Sequence, residues 1–265
     1  MQYGNEDKDV NAQLREKAQE IVGEINKVIV LAEQGCTSEV RQLVTHQGSY
    51  LLKSSFKKKY RDWLKSEADV LINLNNQDLI QVPTYFGFFE DNDSSHLMMS
   101  FENGITLTSA LKNAETTSEK KALIKSFGHF LNQLHETKTI ESFNHKNNWL
   151  DQQLCKAKSY VDRGETDGSL ELLEKLQSIK PVLVQQTMIH GDCTTDNVLV
   201  VHGEVRLFID VSGMTVGDPR YDESLAIRSF ISNEEYTKAF YQAYKRYTVS
   251  REEFEYYDEG LYEFF

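Results

Sequence analysis

The chain has 265 residues, 40% of them hydrophobic, and a formal net charge of −12. That length suits one large domain or two packed lobes. No apolar run approaches the ~20 residues of a membrane span, and the acidic balance disfavours nucleic acid, which needs a basic face. Three scattered cysteines, Cys36, Cys155 and Cys193, argue against a disulfide framework and against a structural zinc site.

In chain order, residues 1–11 are polar and lack an apolar signal core, so a cytoplasmic protein is expected. Residues 10–27 carry Leu14, Ala18, Ile21, Val22 and Ile25 at helical spacing. A strand is predicted over 28–31, a loop over 32–38, a strand over 39–45, a turn over 46–49 and a strand over 50–56. The backbone N–H groups of Gly35, Cys36, Thr37 and Ser38 form a candidate phosphate cradle. A simple hairpin turn is the competing reading, because the loop holds a single glycine.

Lys53 lies on the third strand. The next helix places Trp63, Glu67, Val70, Leu71 and Leu74 in one stripe at 3.6-residue spacing. A carboxylate inside an apolar stripe needs a cation, since burying it alone costs several kcal/mol. Lys53 is the natural partner. Strands follow over 84–89 and 96–100, joined by the acidic turn 90–93. Beyond the connecting segment 100–104 come a helix over 107–112 and a long one over 118–136 with Ser118 as cap. Helical pieces span 142–185 around a loop at 162–168.

The most informative stretch is Met188-Ile189-His190-Gly191-Asp192-Cys193-Thr194-Thr195-Asp196-Asn197, continuing through apolar 198–201 to Leu207-Phe208-Ile209-Asp210. Its apolar arms read as a hairpin with a two-residue turn at 202–203 or 203–204. Either turn sets Asn197 opposite or nearly opposite Asp210. Asp192 and Asn197 have the D-x-x-x-x-N spacing of a kinase catalytic loop, where the acid orients the substrate hydroxyl and the amide holds Mg²⁺. Asp210 falls where a second Mg²⁺ ligand belongs. Helices are then predicted over 222–230, 233–247 and 251–265, the last with Ser250 as cap and Glu253 completing a capping box.

His190-Gly191-Asp192, together with Gly217-Asp218-Pro219-Arg220-Tyr221-Asp222, resembles the aminoglycoside phosphotransferase and choline kinase superfamily, most nearly the aminoglycoside phosphotransferases. The resemblance implies an α+β, two-lobed protein-kinase-like fold. A small antiparallel-sheet N-lobe would span 1–100 and a larger, mainly helical C-lobe 101–265. It implies ATP or GTP as donor in the cleft between lobes, and Mg²⁺ held by Asn197 and Asp210. Lys53, held by Glu67, would meet the phosphates, backbone groups at Ser100, Phe101 and Glu102 would grip the base, and Asp192 would orient the acceptor hydroxyl. Glu263 and Phe265 align with the acidic-apolar terminus that helps hold the amino sugar, with plain aromatic core packing as an equal reading. Asp218 and Asp222 are read as braces or caps, His135 and His190 as structural histidines, and Cys193 as a wall residue. Glu223-Ser224 stands where Leu-Ala is usual and is read as variation on a helix surface.

The expected function is transfer of a γ-phosphoryl group to a hydroxyl of an aminoglycoside or similar aminated sugar. The expected partner is a small cationic molecule, with no nucleic acid or membrane, and the expected state is a monomer. The alternatives are a kinase of choline, homoserine or a sugar, and a nucleotide-binding module without phosphotransfer. A protein kinase is disfavoured: residues 211–217 alone separate Asp210 from Asp218, too few for an activation loop.

Overall fold

The structure, a computed structural model, describes residues 12–75, 79–144 and 147–265. The stretch 1–11, read above for its lack of a signal core, lies outside the described residues, as do 145–146 within the helical segment 142–185. The chain divides into two compact units. One runs through Asn103 and also takes Asp210–Ser212; the other takes Gly104–Ile209 and Gly213–Phe265.

The first unit begins with α1 (Ala12–Val22). The sequence predicts this helix to residue 27, but it ends at Val22. Gly23 takes φ +80, the left-handed conformation that closes helices, and its N–H bonds to the Gln19 carbonyl at 2.9 Å. Ile25 therefore opens β1 (Ile25–Val30) rather than closing a helix. Next come β2 (Glu39–Thr45), β3 (Ser49–Ser55), α2 (Lys58–Leu74), β4 (Tyr85–Glu90) and β5 (Ser95–Ser100). The strands form one antiparallel sheet in the order β1-β2-β3-β5-β4. Leu14, Ala18 and Val22 of α1 pack on Leu43, Leu52 and Met98 of that sheet.

The second unit holds β6 (Ile105–Thr106), α3 (Leu107–Asn113) and α4 (Thr117–Glu136). Thr116, not Ser118, caps α4, in a reciprocal capping box with Glu119. Then follow α5 (Trp149–Arg163), α6 (Leu170–Ser178), β7 (Thr187–Ile189), β8 (Val198–Val201), β9 (Glu204–Phe208) and β10 (Thr215–Gly217). The β8–β9 turn is His202-Gly203, with φ 52 and 83, since Val201 pairs with Glu204. Two positive φ values make it the primed turn that fits the strand twist.

α7 (Pro219–Ile227) starts three residues before its predicted position, because Asp218 caps it and Pro219 fills the first turn. α8 (Glu234–Tyr241) is shorter than predicted. The terminal helix is also cut short: α9 (Arg251–Tyr257) ends, Gly260 adopts φ −116 and ψ −81, and a 3₁₀ turn, Leu261–Phe264, finishes the chain. The core of this unit gathers Trp149, Leu154, Leu173, Tyr221, Tyr257 and Phe264. Among the described residues no helix is long and apolar enough to cross a membrane.

Candidate active site

In the first unit, β3 pairs Lys53 with Val40 on one side and Leu97 on the other, so its side chain leaves a central strand. Its ammonium bonds to the Glu67 carboxylate at 2.8 Å and also to Asp210. Lys53 and Glu67 are both buried, whereas the Asp210 side chain is 44% exposed. Burial alone would lower the Lys53 pKa, but the charges of Asp210 and Glu67 outweigh it and raise it, so the ammonium stays charged. Burial pushes the Glu67 carboxyl upward, countered by Lys53 and the Val211 N–H. A lone charge here would be costly, and the triad satisfies each member. Asp210 has φ +56, a left-handed conformation that Asp tolerates better than most residues, at a cost on the order of 1 kcal/mol.

The loop after β2's partner strand is arranged differently from a row of free side chains. Ser38 is buried, with its hydroxyl 2.7 Å from that of Ser55, and the Thr37 carbonyl accepts from Ser55 at 3.2 Å. Cys36 is exposed. Gln34 ties the loop's stem, donating to the Leu31 and Val40 carbonyls at 2.8 and 2.9 Å and accepting from the Val40 N–H at 2.8 Å. Gly35 tops this stem, where an added Cβ would make ordinary contact, 3.4 Å from the Ser38 carbonyl oxygen. Past β5, Ser100 accepts from the Thr84 N–H at 2.9 Å and bonds to Glu102; Phe101 is half-buried.

In the second unit the loop from His190 to Asn197 is fixed from beneath. Asp222, fully buried in the first turn of α7, accepts from the His190 N–H at 2.6 Å and the Gly191 N–H at 2.8 Å. Its third neighbour is His135 Nε2 at 3.3 Å, and His135 Nδ1 lies 2.9 Å from the Tyr244 hydroxyl. His190 Nε2 is 2.9 Å from the Ile209 carbonyl, which can only accept, so Nε2 carries the proton. Nδ1 then accepts from the Asp192 N–H at 3.2 Å. Asp192 is half-buried, and Asn197 donates to both its carbonyl and its Oδ2 at 2.8 Å. Both amide hydrogens of Asn197 are thereby used, leaving its Oδ1 as the donor atom for a cation. The Ile209 N–H bonds back to the Asn197 carbonyl at 3.0 Å, so Asn197 stands across from Ile209 and Asp210 is the next residue.

Other sequence-marked residues find places around this loop. Asp218 accepts from the Arg220 guanidinium at 2.7 Å and from the Tyr257 hydroxyl at 2.8 Å, deep in the core. The Cys193 thiol is fully buried and pushed well up by burial and by the nearby Asp222 and Asp192 charges, which keeps it a thiol. Glu223 is not on a helix surface. It is fully buried, accepts from the Tyr241 hydroxyl and the Val249 N–H at 2.7 Å each, and burial raises its pKa to about 7. Glu263 is exposed and its carbonyl accepts from Thr166 at 3.0 Å. Phe265 packs edge-on against Tyr160 with ring centroids 5.9 Å apart and has the Lys156 ammonium 5.3 Å from its ring.

Tyr262 was not marked by the sequence. Burial, together with the nearby Asp192 charge, raises its pKa to about 12. A continuous terminal helix would direct it elsewhere; the break at Gly260 was the available signal.

The first unit holds a buried Lys–Glu pair joined to an acid and the second an acid–amide loop on a hairpin, and the family match makes the chain a small-molecule phosphotransferase. The chain belongs to the phosphotransferase enzyme family, which matches residues 28–257. It is a nucleotide-dependent enzyme transferring to a hydroxyl group. No curated protein matches the sequence. Among solved structures, an aminoglycoside-3'-phosphotransferase of type VIII is 23% identical, covers 89% of this chain and 93% of its own, and superposes with a TM-score of 0.72. A phosphotransferase solved in a ternary complex with streptomycin and ATP is 20% identical over 90% of this chain and 85% of its own, TM-score 0.62. A macrolide 2'-phosphotransferase from Brachybacterium faecium is 15% identical over 93% and 86%, TM-score 0.59. These likenesses show the fold, α+β and protein-kinase-like.

Proposed function

We propose that this enzyme phosphorylates a hydroxyl of an aminoglycoside or a similar aminated sugar, using ATP or GTP, as a cytoplasmic monomer. The observation that carries the chemistry is Asp192, held at both its carbonyl and its carboxylate by the Asn197 amide. A carboxylate fixed in this way accepts a hydrogen bond from the acceptor hydroxyl and aims its oxygen at the γ-phosphorus. Most of the rate enhancement is then positioning and electrostatics. Lys53, kept cationic by Glu67 and Asp210, binds the phosphates. The loop Gly35–Ser38 offers backbone N–H groups to them, and the segment Ser100–Glu102 its backbone to the base.

Mg²⁺ fits the residues present. Asn197 keeps its Oδ1 available and Asp210 is partly exposed. Both give the hard oxygen ligands this ion takes, with phosphate and water completing the shell. When bound, the ion neutralises charge on the phosphates.

The acceptor class is supported by the net charge of −12, which favours a cation, and by the exposed Glu263 near the terminus. Neighbouring folds include one solved with GDP and kanamycin. Choline, homoserine, sugars and macrolides are the competing acceptors. The test is nucleoside diphosphate release with Mg²⁺ across a panel of these compounds, with Asp192→Ala as control. Acceptor-dependent turnover with an aminoglycoside, lost in the variant, is the expected result. Turnover with another alcohol alone would overturn the acceptor, and turnover surviving in Asp192→Ala would overturn the site.

A further inference from the structure

Glu223 follows Asp222 near the start of α7 and is fully buried in the second unit. The Tyr241 hydroxyl and the Val249 N–H both donate to its Oε1, at 2.7 Å each. Its other oxygen, Oε2, is buried and has no hydrogen-bond partner among the described residues. Neither donor is a cation. On α7 itself Arg220 is committed to Asp218 and Glu253. The stretch from α8 brings the phenols of Tyr241 and Tyr244, α9 brings a second acid, Glu253, and β7 carries no titratable group. An anion with one oxygen left undonated is costly in such a place, and the neutral acid is not. Burial accordingly raises its pKa to about 7. Two tyrosines three residues apart reach the two neighbouring acids of α7. Tyr241 bonds to Glu223 directly. Tyr244 lies 2.9 Å from His135 Nδ1, and His135 Nε2 is 3.3 Å from Asp222, which holds the His190 and Gly191 N–H groups. The two tyrosine rings are 6.5 Å apart, so a movement of this stretch away from α7 acts on both acids.

We propose that Glu223 is a positioning residue that works as a neutral acid: protonated, it keeps α7 seated against Tyr241 and Tyr244 so that Asp222 holds the loop leading to Asp192, and its ionisation loosens that loop and slows transfer. This rests on Asp192 being the acceptor-orienting acid. On ionisation the Oε2 proton passes to solvent, and no other covalent bond changes. The anion left behind draws water toward Oε2, between α7 and the tyrosines. Tyr244 and His135 then part from Asp222, and the His190 and Gly191 N–H groups lose a fixed acceptor. The loop loses order while the nucleotide-binding groups of the first unit are untouched, so the effect falls on kcat rather than on KM for nucleotide. An apolar residue at 223 would seat α7 equally at every pH; the glutamate makes that seat depend on pH.

The experiment follows transfer from Mg²⁺–ATP to kanamycin between pH 6 and pH 8 in the full chain, with amide exchange at 190 and 191 measured alongside. In the native protein kcat is expected to fall about 10-fold over that range, with a midpoint near pH 7 and a steady KM for ATP. Glu223→Gln cannot ionise and is expected to hold its pH 6 rate through pH 8. Exchange at 190 and 191 is expected to outrun that of Glu223→Gln increasingly as pH rises. Tyr241→Phe removes a donor that favours the anion, so its midpoint is expected to move up by about one pH unit. That variant keeps the test open should Glu223→Gln fold poorly. A level native kcat, an equal fall in Glu223→Gln, or an unmoved midpoint in Tyr241→Phe would overturn the proposal, since a merely structural glutamate moves none of them. If kanamycin is not turned over, exchange decides alone, and equal protection in the native protein and Glu223→Gln at every pH would overturn it. Transfer that survives in Asp192→Ala would sink the reading of Asp192 instead, a distinct result that leaves the exchange comparison standing.

Discussion

Gly191 and Gly213 meet backbone to backbone: a Cβ on Gly191 would stand 2.3 Å from the Gly213 carbonyl oxygen. Gly191 also has φ +81, so two independent constraints exclude a side chain between His190 and Asp192. The arginine of a His-Arg-Asp loop has no room here. Gly191→Ala is expected to destabilise the protein by several kcal/mol, combining left-handed strain with a backbone clash, and to lower kcat more than 100-fold by displacing Asp192. At Gly213 an added Cβ would come no nearer than 3.1 Å to Gly191 and φ is unexceptional, so Gly213→Ala should cost markedly less. Chemical denaturation of both variants checks the order, and equal losses would refute the asymmetry.

Lys53 and Glu67 make a buried pair at 2.8 Å, so removing one partner strands the other. Lys53→Met is expected to cost ~3–5 kcal/mol, chiefly from the uncompensated Glu67. Adding Glu67→Leu should recover much of that stability while nucleotide affinity stays lost, because Lys53 is the charge proposed to bind the phosphates. Thermal melts and nucleotide titration of the single and double variants separate the effects. A double variant that recovers affinity would show that Lys53 does not bind the phosphates.

The parts of the site that were legible are those whose chemistry is local. The Asp192–Asn197 spacing lies within one loop, and Glu67 betrays itself by interrupting an apolar helical stripe. Lys53 followed because a buried carboxylate needs a cation. What stayed hidden depends on contacts between distant segments. Glu223 looks like a surface acid beside Asp222, and only Tyr241 and Val249, supplied later in the chain, enclose it. Tyr262 comes under the influence of the Asp192 charge because Gly260 breaks the terminal helix, and helical periodicity assumes no break. The same assumption carried α1 past Gly23.

Asp222 supports the loop with two backbone hydrogen bonds, at 2.6 and 2.8 Å, from His190 and Gly191. Asp222→Ala leaves both N–H groups buried with no acceptor, and bonds to a charged group are worth ~1.5–3 kcal/mol each. A loss on the order of 3–5 kcal/mol is expected, with kcat falling more than the affinity for nucleotide. Asp222→Asn keeps one acceptor oxygen and should lose about half as much. Amide exchange at 190 and 191 reads the effect directly. Protection unchanged in the alanine variant would place the support of the loop elsewhere.

Glu223 couples stability to pH near neutrality. Burial raises its pKa to about 7, while in the unfolded chain it titrates near the ordinary carboxylate value. Between those values the folded state holds a proton that the unfolded state has released. Stability is therefore full at acid pH and is lost as pH rises toward 7, by up to ~3 kcal/mol at 1.36 kcal/mol per unit. Above that range Glu223 is a buried anion with only the Tyr241 hydroxyl and Val249 N–H on one oxygen, and Tyr244 and Glu253 nearby. Glu223→Gln keeps the acceptor and cannot ionise. Relative to the native protein, it is expected to gain stability from pH 5 to about pH 7 and to level off above that. Melting curves across that range test this, and parallel pH profiles for the two proteins would show that Glu223 titrates at its ordinary value.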